Sequence, residues 1–369
     1  MTIRIDLKAV TQQRGGFFSL GRFPIMMKIL VCGALIISFA SAQTVQYVPK
    51  HDELKYTFGG HPPVMRLKPG TIVETWTEDC YDGAVKQPTD IPSRVAPVGR
   101  DNPQTGPFYI EGAAPGDVLA VHIIDLQPAR EYAVSSSYPG FGALTGTDYT
   151  ALLNPPLVEK VWWYTVDASK GIASTMLGNH RIEVPLSPFL GCIATAPQRN
   201  EVRWTVTPEA YGGNMDAWQV RKGATVYFPI NVDGALLEMG DGHLAQGEGE
   251  IIGTALESAL NVKFKVDIVR GKSIGWPRIE NDQYIMTVGS YRPLEDAFRI
   301  AYKEMVLWLT DEFKMDMMDA YQLCSQLGEA DVAQVVDPNY TVVAKIQKKY
   351  LPPGEVMGGM HGRMKSGLR

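Results

Sequence analysis

"GPFYIEGAAPGDVLAVHIIDLQP", residues 106–128, joins two apolar runs across a Pro115-Gly116 turn. The second run, "VLAVHIIDL", is short, β-branched and bounded by turn residues, so it reads as a well-buried strand. His122 alternates within it and reads as a core or sheet-face residue rather than a ligand. The same pattern recurs along the chain. "HPPVMRLKPGTIVETWTEDC" carries a Pro69-Gly70 turn ahead of a strand, and "EKVWWYTVD", "HRIEVPL", "ATVYFPINV", "EIIGTALES" and "LNVKFKVDIV" all look like strands. "SSSYPGFGALTGTDY" and "LNPPL" read as long surface loops. Helical periodicity appears only beyond residue 290. "PLEDAFRIAYKEMVLWLTDEF" opens at Pro293, and "MDMMDAYQLCSQLG" stops at Gly328. "VAQVVDP" reads as a strand and "TVVAKIQ" as a strand or helix. The expected fold is α+β and predominantly β: one or more sandwich- or barrel-like domains with a helical pair near the C-terminus. Helix does not alternate with strand as in a doubly wound sheet.

The 369 residues are 45% hydrophobic and 20% charged, which suits a globular protein with a sizeable core. The leader differs from the rest. "MMKILVCGALIISFASAQ" places Lys28 before an apolar run that ends in Ala40-Ser41-Ala42, a small-x-small cleavage pattern. Residues 1–42 therefore read as a signal peptide. The basic stretch ahead of the run is either an extended n-region or lies upstream of a true start at Met26 or Met27. The expected mature chain, residues 43–369, is exported to the periplasm or the extracellular space. It carries 30 basic and 39 acidic side chains, a net −9, which speaks against nucleic acid or an anionic membrane as partner. Cys80, Cys192 and Cys324 form no disulfide framework, although one bridge remains open, and Cys192 in "FLGCIATAP" reads as a small buried hydrophobe.

"MGDGHLAQGEGE", residues 239–250, is the candidate centre. Asp241 and His243 are two apart, as are Glu248 and Glu250, and residues two apart share a face of extended backbone. A turn through residues 244–247 would bring both pairs together. One imidazole with two or three carboxylates suits zinc or another divalent metal, calcium being the alternative. Gly240, Gly242, Gly247 and Gly249 let the backbone take positive φ. Spacing alone leaves a solvated hairpin equally open. Asn214 and Asp216 in "YGGNMDAWQV" are again two apart, and "ETWTEDCYDG" crowds Glu74, Glu78, Asp79 and Asp82 around Cys80. No G-x-S-x-G elbow, H-E-x-x-H, Walker motif or G-x-G-x-x-G fingerprint is present, nor the glycine- and serine-rich signature of serine-lysine amidases.

"GGNMD" followed by "GALLEMGDGHLAQGEGEI" resembles the acetamidase/formamidase family, as do "PFYIEGAAPGDVLAVHI", "ETWTEDCYDG" and "PLSPFLGCIATAP", in the same order. The resemblance runs from about residue 50 to 350. It implies hydrolysis of small linear amides to a carboxylate and ammonia, on a mainly β fold that binds a divalent metal and assembles as a homo-oligomer. It carries Asp241, His243, Gln246, Glu248, Glu250, Asn214 and Asp216 as motif positions, and Asp79 less securely. Two departures stand out. Gly247-Glu248-Gly249-Glu250 replaces the usual Gly-Asp-Gly-Glu, and Ala217-Trp218-Gln219 stands where a basic residue often follows Asn-x-Asp, with a larger apolar side chain expected to reshape the substrate pocket.

On that resemblance, Asp241, His243 and Glu248 or Glu250 are expected to hold a zinc-like ion, with Asp79 as a further candidate ligand. Glu250 is expected to act as general base and acid, Asn214 and Gln246 to hydrogen-bond the amide, and Asp216 to orient His243. Two other readings stay open: a glycosidase using Glu248 and Glu250 as a carboxylate pair, and a non-catalytic exported binding module.

Overall fold

The computed structural model describes residues 43–145, 157–366 and 368. The expected signal peptide lies outside them, as do most of "LNPPL" and the end of "SSSYPGFGALTGTDY". The described chain is a sandwich, not a closed barrel, backed by helices. Its larger sheet has nine strands, in spatial order Thr44–Tyr47, Ile72–Thr77, Leu260–Val269, Val118–Pro128, Thr225–Pro229, Arg278–Glu280, Tyr284–Tyr291, Tyr340–Gln347 and Glu329–Gln334. A second sheet of five runs Gly212–Asn214, Phe189–Ala194, Leu237–His243, Gln104–Ile110 and Met65–Leu67. A third, of four strands, comprises His180–Pro185, Ile172–Leu177, Lys160–Asp167 and Tyr132–Ser137.

The Val118–Pro128 strand shows why its sequence is apolar at successive positions. Leu119, Val121 and Ile123 enter the core between the two larger sheets, with Phe108, Ile110, Leu190, Ile193, Leu237 and Met239. The alternate residues Val118 and Ala120 pack instead with Met305, Trp308 and Leu309 of the long helix Leu294–Phe313. A strand buried on both faces loses the apolar-polar alternation of a half-exposed one. Each large side chain so buried contributes roughly 1.5–3 kcal/mol. His122 sits on the helix side, with Nδ1 2.9 Å from the Thr225 hydroxyl, and is a core residue as expected.

The expected helical pair is present as Leu294–Phe313 and Met317–Leu327. Asp316 caps the second, accepting from the Met318 and Asp319 amides at 2.8 and 3.3 Å. A further helix, Met360–Ser366, was not anticipated because its seven residues offer only two apolar positions, Met360 and Met364, too few to show a period. "TVVAKIQ" is a strand, Tyr340–Gln347. "EIIGTALES" is not. It forms a tight turn and an irregular segment whose Glu257 makes isolated bridges to Val134 and His243. Cys80, Cys192 and Cys324 are all free thiols, so the open bridge does not form among the described residues.

Candidate active site

The Leu237–His243 strand is the centre of the five-stranded sheet, and all seven of its residues are buried. Gly240 and Gly242 serve close packing rather than positive φ: a Cβ on them would meet Pro103 O at 2.2 Å and Ser258 O at 2.3 Å. Among the four glycines of the motif only Gly249 is left-handed, at φ 81°. Instead the acids bend the chain. Asp216, Asp241 and Glu250 have φ of 47°, 58° and 47°. Such conformations cost about 1–2 kcal/mol each, persist only where the surroundings enforce them, and concentrate at functional sites.

His243 is fully buried, and its edge-on contact with Phe189 (ring centroids 4.9 Å apart) fixes the ring plane. Its Nδ1 lies 3.0 Å from Gln246 Oε1, while Gln246 Nε2 donates to the Asp216 and Ala333 carbonyls at 3.0 and 2.9 Å. Those two donations orient the amide, so Oε1 must accept and Nδ1 must carry the hydrogen. Nε2 then faces acids: Asp241 Oδ1 at 3.3 Å, Glu257 Oε2 at 3.3 Å and Asp216 Oδ1 at 4.0 Å. These separations are long for charge-assisted hydrogen bonds, which run about 2.7–2.9 Å. Asp241 Oδ1, Glu257 Oε2 and both Asp216 oxygens are buried with no hydrogen-bond partner. Burial alone would lower the His243 pKa, but the Glu257 and Asp241 carboxylates outweigh it and hold the ring well above its ordinary range. Gly191 forms the floor: a Cβ there would lie 2.4 Å from Asp241 Oδ2, 2.6 Å from Asp216 Oδ1 and 2.9 Å from His243 Cε1.

This arrangement fits a divalent cation. Ligand atoms of Asp216, Asp241 and His243 all lie within 4.8 Å of one another, and so do those of His243, Glu250 and Glu257. Ligands about 2.0–2.2 Å from a tetrahedral ion are roughly 3.3–3.6 Å apart, close to the Nε2 spacings to Asp241 and Glu257, with Asp216 somewhat farther. Unpaired buried carboxylate oxygens are costly unless a cation or proton satisfies them.

Behind this cluster sits a second group of acids, Asp216, Glu250 and Asp337, again within 4.8 Å. Burial and the Asp216 charge push Glu250 well above the carboxylate range and do the same to Asp337. Burial raises Asp216 to about 6 and Glu257 to about 7, against the opposing pull of His243. Asn214 donates to Asp337 Oδ2 at 2.6 Å and accepts from Asn102 Nδ2 at 2.8 Å. Asn102 also reaches Asp241 Oδ2 at 3.1 Å. Cys192 packs with Phe58, Ala194 and Tyr211 as the buried hydrophobe expected, and its thiol also donates to Asn214 Oδ1 at 2.8 Å.

Several expected roles change. Glu248 is exposed and accepts from the Val332 amide at 3.3 Å, turned away from the cluster. Residues Glu248–Glu250 form one 3-10 turn, not extended backbone, so the two glutamates share no face and make no glycosidase-type pair. Asp79 holds no site either: Oδ1 accepts from the Tyr81 and Gly83 amides at 3.0 Å and Oδ2 pairs with Arg130. Gln246 has both amide hydrogens committed to carbonyls, so it orients His243 instead of binding substrate. Asp216 takes the opposite course, its free oxygens joining the cluster. Glu257, Asp337 and Asn102 were missed. Glu257 stands alone in an apolar run, and only an acid placed among buried neighbours marks it.

An open cleft of about 800 Å³ adjoins Gln246 and Glu250, walled by Tyr164, Val184, Phe189, Trp218, Ile251 and Leu256.

The family model described as "Acetamidase/Formamidase family" matches residues 58–203 and 199–349. The crystal structure of an acetamidase from Yersinia enterocolitica superposes with a TM-score of 0.80 at 38% identity, covering 86% of this chain and 96% of that one. An acetamidase structure from Bacillus halodurans gives 0.74 at 30% identity, with 83% and 98% covered. Among curated relatives, an acetamidase from Mycolicibacterium smegmatis is 24% identical over 262 residues and a formamidase from Methylophilus methylotrophus 43% over 218. These matches cover 57% and 45% of this chain, and 64% and 51% of the relatives' own lengths.

Proposed function

Since the chain belongs to the acetamidase/formamidase family, we propose that it is an amidohydrolase that cleaves a linear amide to a carboxylate and ammonia. The observation that carries this reading is the convergence of His243 Nε2 with unpaired oxygens of Asp241, Glu257 and Asp216. Those four residues would hold a divalent ion, zinc ahead of calcium, since an imidazole with few carboxylates suits the smaller coordination number. When bound, such an ion supplies Lewis-acid polarisation of a carbonyl and a lowered pKa for water. The chain's own residues do the rest. Gln246 fixes the His243 tautomer, and Asn102 and Asn214 hold Asp241 and Asp337 in place. Glu250 takes a proton as the water oxygen bonds to the carbonyl carbon, then returns it to nitrogen as the C–N bond breaks. Burial, with Asp216 and Asp337 beside it, raises the proton affinity of Glu250.

The test measures ammonia release from acetamide and the metal content of the purified protein. His243→Ala should lose both bound metal and activity; full ammonia release by that variant would overturn the proposal. Glu250→Gln should keep the metal while kcat falls about 10²–10⁴-fold, the usual range for losing a proton-transfer group. The apolar run ahead of Ala40-Ser41-Ala42 also supports export with cleavage before Gln43, which N-terminal sequencing of the secreted protein checks. Family membership supports the expectation of a homo-oligomer, which light scattering checks.

A further inference from the structure

Acetamide has four heavy atoms. At roughly 30 Å³ for each water-sized group it fills about 120 Å³, a small part of the cleft of about 800 Å³ beside Glu250. Clefts of about 300–1,000 Å³ with mainly apolar walls are the size that holds drug-sized ligands. Much of the lining is made of side chains that do not form hydrogen bonds, Val184, Phe189, Ile251 and Leu256 among them. Trp218 adds a broad ring. Its face is already covered by Arg221, whose guanidinium lies 4.9 Å from the ring centroid, so the indole is braced in position. The charged and amide groups of the lining are Gln246, Glu248 and Glu250, with Gln246 bonded to His243, and the hydroxyls of Ser135, Tyr164, Ser187 and Thr254 are its other polar groups. An amide whose reactive end enters the acid cluster would therefore project its acyl group against the apolar wall. Ile251 is 56% exposed, an apolar side chain at the rim that a bound acyl group would cover.

We propose that the substrates of this chain are primary amides with a large apolar acyl group, aromatic or medium-chain, rather than formamide or acetamide. This inference rests on the amidohydrolase reading. The driving force is burial of the acyl group: each methylene taken from water contributes roughly 0.8 kcal/mol, about fourfold in affinity. The exposed Glu248 in the lining disfavours amides whose acyl group bears a carboxylate.

The test compares kcat/KM for acetamide, hexanamide and phenylacetamide in the wild-type protein and in Val184→Trp, with calorimetric binding of the same amides alongside. The expected result is at least a tenfold preference for phenylacetamide or hexanamide over acetamide. In Val184→Trp, whose indole would fill the cleft, that preference should fall at least tenfold. Equal or better kcat/KM for acetamide in the wild type, or a preference untouched by Val184→Trp, would overturn the inference while leaving the amidohydrolase reading intact. Ammonia from no amide, with phenylacetamide still bound by the wild type and lost in Val184→Trp, would overturn hydrolysis and leave the cleft assignment standing. Neither turnover nor binding of the large amides overturns the cleft assignment too.

Discussion

At the scale of the residue, chemistry here depends on backbone as much as on side chain. Gly191 shows it most directly, since its missing Cβ is the space into which Asp241, Asp216 and His243 converge. Gly191→Ala should disperse the cluster: overpacking costs about 1–3 kcal/mol, while a displacement near 1 Å can cost about 10²-fold in rate. Thermal melts and ammonia assays on one preparation separate the two effects. Glu238 makes a different prediction. It is buried with one oxygen unpaired and the other 3.4 Å from the Gly59 amide, and burial raises its pKa to about 8. In the unfolded chain the group ionises near its ordinary value of 4.5. Between those values the folded protein holds a proton that the unfolded chain has released, so stability falls as pH rises from about 4.5 to about 8. The slope approaches roughly 1.4 kcal/mol per pH unit within the window. Glu238→Gln should flatten that stretch and exceed the wild type in denaturant melts at pH 9. The pair Asp241 and His243 was legible in the sequence because both stand on one short strand. Glu257 and Asp337 were not, because their proximity is created by loops that return from 14 and 94 residues downstream of His243.

At the scale of the element, the turn after the Ile72–Thr77 strand is held by one ion cluster. Arg130 pairs with Glu78 at 3.1 Å and with Asp79, and its guanidinium stacks on Tyr132, 4.4 Å from the ring centroid. That turn carries Cys80 to within reach of Asp241 and Glu257. Arg130→Ala would strand two buried carboxylates and should cost about 3–5 kcal/mol, or roughly 4–7 °C in Tm for a chain of this size. Another turn departs from the expectation of extended backbone. Gly249, left-handed at φ 81°, lies inside a single 3-10 turn, so Glu248 and Glu250 are not alternate residues of a strand and Glu248 faces outward. Spacing of two specifies a shared face only where the backbone is extended, and glycine on both sides of an acid withdraws that condition. The strands themselves were legible because β-branched runs between Pro-Gly turns leave few alternatives.

At the scale of the whole molecule, stability should be linked to metal. A ligand that binds only the folded state adds about 2.7 kcal/mol when present at 100 times its Kd. Dialysis against a chelator should therefore lower Tm by roughly 4 °C and abolish ammonia release, and adding back zinc should restore both. A Tm unmoved by chelator and by zinc would separate the acid cluster from metal binding. The layered plan has a practical corollary. The Met360–Ser366 helix packs with the helical layer through Met360 and Met364, on the far face of the nine-stranded sheet from the core that the site strands share. A support or fusion partner joined at the C-terminal end would thus attach on the face away from the acid cluster, leaving the cleft turned toward the bulk solution.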